Sequence, residues 1–151
     1  MLIREAGIMH QGLPVIYTSY HRASKKGMDS IDISALLSGL LSFAETVMEP
    51  IEYFETDHYS IVVKNGLIKD RFMGEEEIVA FIVLDKDPRL ERYLHRTILP
   101  LLERLLKKFI HQFDGCNLTR GLQFEVFKNT INKIFSTGTK TFEEKVVSLL
   151  V

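Results

Sequence analysis

This sequence has very little cysteine and almost no net charge. Cys116 is its single cysteine, and its 19 basic residues nearly balance its 20 acidic ones. A lone cysteine cannot form an intrachain disulfide, so a disulfide-stabilised scaffold is excluded and a free, partly buried thiol is expected. The formal net charge is −1, and no run of like charges is longer than Glu75-Glu76-Glu77. Such a balance does not predict a nucleic-acid partner.

Long apolar runs are missing as well. The longest, residues 33–44, is interrupted by three serines and is too short to cross a bilayer. Arg4 and Glu5 interrupt the apolar start, so residues 1–15 lack a secretory signal pattern. We therefore expect a cytoplasmic protein without a transmembrane segment. A length of 151 residues with 46% hydrophobic content predicts a single domain with a real core.

Sequence motifs of catalysis and metal binding are absent too. None of the five histidines has metal-ligand spacing to a second ligand, and there is no phosphate-binding glycine loop or nucleophile elbow. Asp85 and Asp87 follow an apolar strand, where an acidic site is one interpretation, but a strand exit followed by a helix cap is the simpler one. We predict no enzymatic activity, no cofactor and no metal.

The residues that are present predict an antiparallel sheet. Residues 2–9 and 15–20 are apolar and β-branched around the turn Gly12-Leu13-Pro14, as in a β-hairpin. Residues 51–56 and 59–64 predict two more strands. Asn65-Gly66 is a strong hairpin signal, which leaves residues 67–73 as either a further strand or part of a loop. The unbroken apolar run 78–84 predicts a central strand covered on both faces.

Helices are predicted before and after these strands. Residues 31–48 form the first, and Asp87-Pro88 opens another that Pro100 should kink. The apolar stripe after Pro100 is displaced around the axis and is expected to face a different neighbour, supplied by an amphipathic helix over 124–135. Thr141 and Glu144 have the spacing of a capping box, which predicts a short last helix.

The helix predicted over residues 31–48 has an unusual second face. One arc is wide and apolar and should pack on the sheet. The opposite arc carries small residues where a solvated face carries charges: Ser34, Ala35, Ser38, Gly39 and Ser42. Either the chain's own C-terminal helices cover this arc, or a partner docks there. Docking is favoured because those helices already have the kinked helix to cover.

A basic loop precedes the same helix. Arg22, Lys25 and Lys26 lie in it without interleaved aromatic residues, which is typical of a solvated loop. The alternative is a weak peripheral contact with a phosphate or an anionic lipid head group.

The order of these elements resembles that of the longin domain and its roadblock relatives, which share a profilin-like sheet covered on both faces. The residues that carry the likeness are Gly12-Leu13-Pro14, "LLSGLLSFAETV" (36–47), "IEYFETDHYSIVVK" (51–64) and "IVAFIVLDKD" (78–87). The likeness is greatest to longin/roadblock-type proteins of archaea and covers residues 2 to 113. It implies an α+β fold of about five mainly antiparallel strands with helices on both faces. Residues 1–113 are then the longin-like part, and 114–151 add helices to the same domain.

The resemblance also implies a function. Such domains are non-enzymatic platforms that pair side by side through the helix after the first hairpin and the strand that follows it. Many of them bind Ras-like small GTPases in vesicle trafficking and signalling. Here the pairing elements correspond to residues 31–48 and 51–56, which adds Ile51, Tyr53 and Glu55 to the small-residue arc as expected interface residues. The expected partner is a second copy or a similar domain, together with a Ras-like GTPase.

A second class of function remains open beside this one. A small-molecule sensor of the PAS or GAF kind is also a sheet flanked by helices, and it needs a pocket between the two with a few convergent polar groups.

Overall fold

An antiparallel sheet with helices packed on one face makes up the described part of the chain, which is therefore an α+β structure. The computed structural model describes residues 3–11, 13–20, 53–55 and 58–135. The strands lie in the order β2-β1-β5-β4-β3. Four of them are seven to eleven residues long, whereas β3 is a three-residue pairing at the edge. Within the predicted strand over 51–56, the described residues Tyr53–Glu55 form β3.

The predicted first hairpin is confirmed, since β1 (Ile3–His10) and β2 (Leu13–Ser19) pair antiparallel, but Leu13 and Pro14, predicted in its turn, are paired in β2. The register shifts between Ile8 and Met9, where Pro14 lies opposite Met9. Since β2 is an edge strand, Pro14 withholds no hydrogen bond from a further strand. The chain reverses at Gln11, whose φ of 51° is left-handed.

The next hairpin does not turn where the sequence predicts. Strand β4 (Tyr59–Lys69) runs straight through Asn65-Gly66, and the chain reverses only at Asp70–Gly74 before β5 (Glu75–Asp85). The hairpin signal at Asn65-Gly66 is therefore wrong, and residues 67–69 are strand. A Cβ on Gly66 would lie 3.3 Å from a methyl group of Leu106, so this glycine allows a helix to approach the sheet closely.

Strand β5 is central, as its unbroken apolarity predicts. Its alternate residues contribute to two separate buried clusters, one on each face of the sheet. Ile78, Ala80, Ile82 and Leu84 belong to the larger cluster, which also contains every buried side chain of the described helices. The smaller cluster, around Phe81, is formed by strand residues in the described part of the chain.

After β5 the chain forms one rod of three segments: α1 (Leu90–Tyr93), a π-helical turn (Leu94–Ile98) and α2 (Leu99–Phe113). The N–H of Leu99 bonds to the carbonyl of Leu94, five residues back. Pro100 lacks an N–H and cannot continue the ordinary helical pattern, so the predicted disruption takes the form of this π-turn just before the proline. Buried residues before and after Pro100 enter one cluster, and within it the second stripe packs, as predicted, on the segment that follows: Phe109 and Phe113 contact Phe124 and Phe127.

The last described elements pack against α2 and complete the larger buried cluster. A 3₁₀ helix (Gly121–Phe127) leads into α3 (Lys128–Phe135). Phe109 of α2 stacks against Phe124 and Phe127, with ring centroids 5.5 and 5.3 Å apart. The predicted amphipathic segment over 124–135 therefore packs on α2, although its first turns are 3₁₀ rather than α. The helices predicted over 31–48 and after Thr141 lie outside the described residues.

Candidate functional site

Two of the predicted interface residues, Tyr53 and Glu55, lie in β3, and the side chain of each contacts another residue of the same chain. The Tyr53 hydroxyl donates a 3.2 Å hydrogen bond to Glu91 of α1, and this carboxylate raises the pKa of Tyr53. The Glu55 carboxylate lies 3.8 Å from the ammonium of Lys86. The Tyr53 side chain, which packs against the larger cluster, thus faces the helical side of the sheet.

The backbone of β3 has one open side. Tyr53–Glu55 pairs with Ser60, Ile61 and Val62 of β4, and no described strand lies on its other side. A strand edge of this kind is a template for pairing with another chain. The other predicted interface residues, Ser34, Ala35, Ser38, Gly39, Ser42 and Ile51, lie outside the described residues, as do Arg22, Lys25 and Lys26.

A second candidate site is a groove of about 350 Å³ between the sheet and two helical segments, here called the Arg89 groove. Its floor is Ile3 of β1 with Ile82 and Leu84 of β5. One wall is the end of α3, where Ile134 and Phe135 contribute. All five side chains are apolar, and Ile3, Ile82, Leu84 and Phe135 are each at most 6% exposed, so they contribute little accessible surface to the groove.

The opposite wall of the Arg89 groove carries its polar groups. Arg89, Tyr93, Thr97 and Leu101 recur every fourth residue along the rod, and Ile98 fills the space beneath them. A four-residue spacing places side chains on one face of a helical rod, so three polar groups and one apolar group form a row.

The cationic end of this row is held in place by an acidic neighbour. The Asp87 carboxylate accepts hydrogen bonds from Nε and Nη2 of Arg89 at 3.0 and 2.8 Å, and from the Arg89 backbone N–H at 2.8 Å. These bonds hold the pKa of Asp87 well below its usual range and raise that of Arg89. Asp87 thus binds the backbone two residues ahead but does not cap α1 as predicted: α1 begins at Leu90, and its N-cap is Arg89, without a side-chain cap hydrogen bond. Because a guanidinium has five N–H donors, three remain for a ligand.

Other reactive groups do not form a site within the part of the chain that the structure describes. There, no three histidine, cysteine or carboxylate side chains are placed to share a metal ion. His10 lies 3.3 Å from Glu76 across the sheet. Cys116 is a free, half-buried thiol, as predicted, and burial raises its pKa.

Sequence reasoning missed the Arg89 groove although one signal was present. Arg89, Tyr93 and Thr97 put polar side chains at four-residue spacing beside an apolar stripe. Their spacing alone is that of any solvated helix face. What makes them a site is the apolar floor from β1 and β5 and the wall from α3, and these come from distant parts of the chain.

No protein-family model matches the sequence, and the curated proteins give no match. Over the described ranges, every helix is too short or too polar to cross a membrane.

Proposed function

We propose that this protein is a non-enzymatic interaction platform of the longin/roadblock type that dimerises and binds a Ras-like small GTPase. The order of elements supports it: a leading hairpin, then strands β3 to β5 in antiparallel succession, then helices that pack on the sheet.

The observation that carries this proposal is the open edge at β3. Tyr53–Glu55 lies last in the sheet order and has no described strand paired with the outer side of its main chain. Pairing of two such edges continues one sheet across two subunits and satisfies backbone groups that otherwise need water. In a two-fold dimer the same segment contributes from each subunit, so one short strand serves both partners.

The small-residue arc on residues 31–48 supports the same interface from the sequence. Side chains such as Ser38 and Gly39 permit the close approach of a second helix, and this helix precedes β3 directly in the chain. In the proposed dimer, the two helices meet beside the joined strands. The resulting composite surface is where a Ras-like GTPase binds.

Light scattering on a size-exclusion column tests the dimer. We expect a dimer for the natural chain and a folded monomer for Gly39→Arg, which places bulk and charge on the small-residue arc. Gly121→Arg is the matched control, because a Cβ at Gly121 meets no atom within 4 Å. Hydrogen exchange at residues 53–55 should slow as protein concentration rises, and should not do so in Gly39→Arg.

A dimeric Gly39→Arg with an unchanged circular-dichroism spectrum contradicts the interface. Binding to purified Ras-like GTPases, each loaded with GDP or a GTP analogue, tests the remaining part of the function. We expect at least one of them to bind the natural chain and to bind Gly39→Arg more weakly.

The Arg89 groove favours a second candidate function, that of a small-molecule sensor. Its volume of about 350 Å³ falls within the range of ligand pockets, and it combines an apolar floor with few polar groups, as such pockets do. Screening of small molecules for binding to the purified chain tests this candidate independently of its oligomeric state.

A further inference from the structure

We propose that the outer face of the helical rod binds the surface of an anionic lipid bilayer, and that the turn between β4 and β5 enters the head-group layer beside it. This inference goes beyond the proposed function, and it depends neither on the dimer nor on the Arg89 groove.

The outer face of the rod carries a line of cations, here called the basic stripe. All of its members are exposed, and four of them are separated by multiples of four residues. Such a spacing places side chains on one face of a helical rod. The basic stripe consists of Arg92, Arg96, Arg104, Lys107 and Lys108.

The basic stripe lies on the side of the rod that faces away from the core. Leu102, Leu106 and Phe109 of α2 are buried in the larger cluster. At about 100° per residue, Arg104 and Lys108 lie on the opposite side of the helix from these three residues. The stripe is therefore a protruding ridge, and its side chains can meet one external surface together.

Most of the charge on this ridge is not neutralised by the part of the chain that the structure describes. Lys107 lies 3.4 Å from Glu103, and both side chains are exposed, so this ion pair is weak in water. Among the described carboxylates, none forms an ion pair with the other four cations of the stripe. An exposed ridge of unpaired cations attracts an anionic partner.

The acidic run Glu75-Glu76-Glu77 does not offset the stripe, because most of it lies on the other side of the sheet. Successive residues of a strand face opposite sides, and Ile78 of β5 faces the helices. Glu75 and Glu77 therefore face away from the helices, and Glu76 lies 3.3 Å from His10. The net charge of −1 thus conceals a positive helical face.

The turn between β4 and β5 presents apolar side chains to solvent. Phe72 is 77% exposed and Met73 is 64% exposed, although turns usually hold glycine or small polar residues. The Asp70 carboxylate fixes the turn by accepting the N–H groups of Phe72 and Gly74. The guanidinium of Arg71 lies 4.6 Å from the centre of the Phe72 ring. The turn therefore combines a cation with an exposed ring and thioether.

This turn adjoins the end of the rod. The N–H of Lys69, next to the turn, donates to the Asp114 carboxylate at 2.8 Å, and the N–H of Gly115 donates to the Lys69 carbonyl at 2.7 Å. Asp114 and Gly115 directly follow α2. The apolar turn and the last turns of α2 thus lie at the same end of the described structure.

A lipid bilayer matches these two features better than a nucleic acid does. The basic stripe contains no aromatic side chain on which a base could stack. Anionic head groups attract lysine and arginine, and the boundary below them accommodates aromatic rings. A bilayer can therefore receive the ridge and the turn at once.

Co-sedimentation of the full chain with vesicles tests the basic stripe. We expect binding to an equimolar mixture of phosphatidylcholine and phosphatidylglycerol, little binding to phosphatidylcholine alone, and weaker binding at high ionic strength. The stripe variant, Arg104→Gln with Lys108→Gln, should bind about 25-fold more weakly, because each cation near an anionic surface contributes about fivefold. The β4 variant, Lys64→Gln with Lys69→Gln, removes the same charge from exposed positions outside the rod and should bind like the natural chain.

Tryptophan fluorescence tests the turn, because the natural chain contains no tryptophan. The emission of Phe72→Trp should shift to shorter wavelength on the mixed vesicles, since the ring leaves water. Leu67→Trp is the matched control: Leu67 is 57% exposed and lies opposite Glu77, on the face turned away from the helices. Its emission should not change. Circular dichroism establishes that each variant keeps the fold.

Several outcomes overturn the proposal. Absence of binding to the mixed vesicles does so, as does equal binding of the stripe variant and the β4 variant. An unchanged emission of Phe72→Trp on bound vesicles, or an equal shift of Leu67→Trp, shows that the turn does not enter the head-group layer. Binding of a DNA duplex or of polyglutamate as tightly as the vesicles assigns the stripe to another polyanion.

Discussion

Gly7 is the residue at which a single methyl group should disturb the sheet most. It lies in β1 between β2 and β5, opposite Tyr17 on one side and Phe81 on the other. A Cβ built on Gly7 would lie 2.4 Å from the carbonyl oxygen of Ile16 and 2.7 Å from the Cβ of Tyr17. Because these atoms belong to the main chain and the base of a side chain, no rotamer change removes the clash.

The expected change in the free energy of unfolding on Gly7→Ala is the balance of two opposing effects. Overpacking costs about 1–3 kcal/mol, and contacts with main-chain atoms place this site near the upper end of that range. Replacing glycine by alanine stabilises the folded state by about 0.5–1 kcal/mol, because it lowers the conformational entropy of the unfolded chain. We therefore expect a net loss of about 2 kcal/mol in the free energy of unfolding. In a chain of this size the midpoint of thermal unfolding should fall by about 4–8 °C.

Gly66→Ala is the matched control, since Gly66 is also a strand glycine close to a neighbour. The nearest atoms to its added Cβ are two methyl groups of Leu106 at 3.3 and 3.4 Å and one of Ile110 at 3.5 Å. These are the ends of flexible side chains, which can move by a few tenths of an ångström. The free energy of unfolding should change by less than about 1 kcal/mol in either direction.

Urea titration followed by circular dichroism measures both changes, provided that the slope of the transition stays constant between variants. A Gly7→Ala variant within about 0.5 kcal/mol of the natural chain would refute the reasoning. So would a Gly66→Ala variant that loses more stability than Gly7→Ala.

Three further outcomes are expected. Phe109→Ala should cost about 3–5 kcal/mol in urea titration, because the ring is fully buried and stacks on Phe124; a loss below about 1 kcal/mol contradicts this. Burial raises the pKa of Tyr20 from 10.0 to about 12, so the unfolded chain loses this proton first and stability falls as pH rises from 10 to 12. Tyr20→Phe should make the urea midpoint less dependent on pH across that window, and an unchanged dependence rules the tyrosine out as its source. Because burial raises the pKa of Cys116, its thiol should react with a disulfide reagent more slowly in the native chain than in urea, and equal rates contradict this.

Features that depend on neighbouring residues were predictable from the sequence. The first hairpin was predictable from two β-branched segments around a turn. The central place of β5 was predictable because its apolar run has no polar side chains that would suit a solvent-exposed face. Asp87 binds the N–H of Arg89, as its position before Pro88 predicts, because an Asp side chain reaches the backbone two residues ahead.

At Asn65-Gly66 the local sequence pattern predicts a hairpin turn that the structure does not form. Its turn propensity is real, but eleven residues of β4 gain a full ladder with β5 by continuing, and Leu106 packs over the glycine. The turn forms instead at Asp70, whose carboxylate accepts the N–H groups of Phe72 and Gly74 at 2.8 and 2.9 Å. Pairing with a strand and packing against a helix outweigh the preference of two residues.

The sequence by itself determined the first hairpin, the central apolar strand β5 and the amphipathic segments after it, because these features depend on spacing along the chain. Only the tertiary structure decided that β3 has no described strand on its outer side and that Arg89 lies at one end of a groove between sheet and helices. That groove joins Ile3, Leu84, Arg89, Thr97 and Phe135, which lie up to 132 positions apart. A shape built from such distant side chains exists only after the sheet and helices have packed, because no local pattern encodes the space left between them.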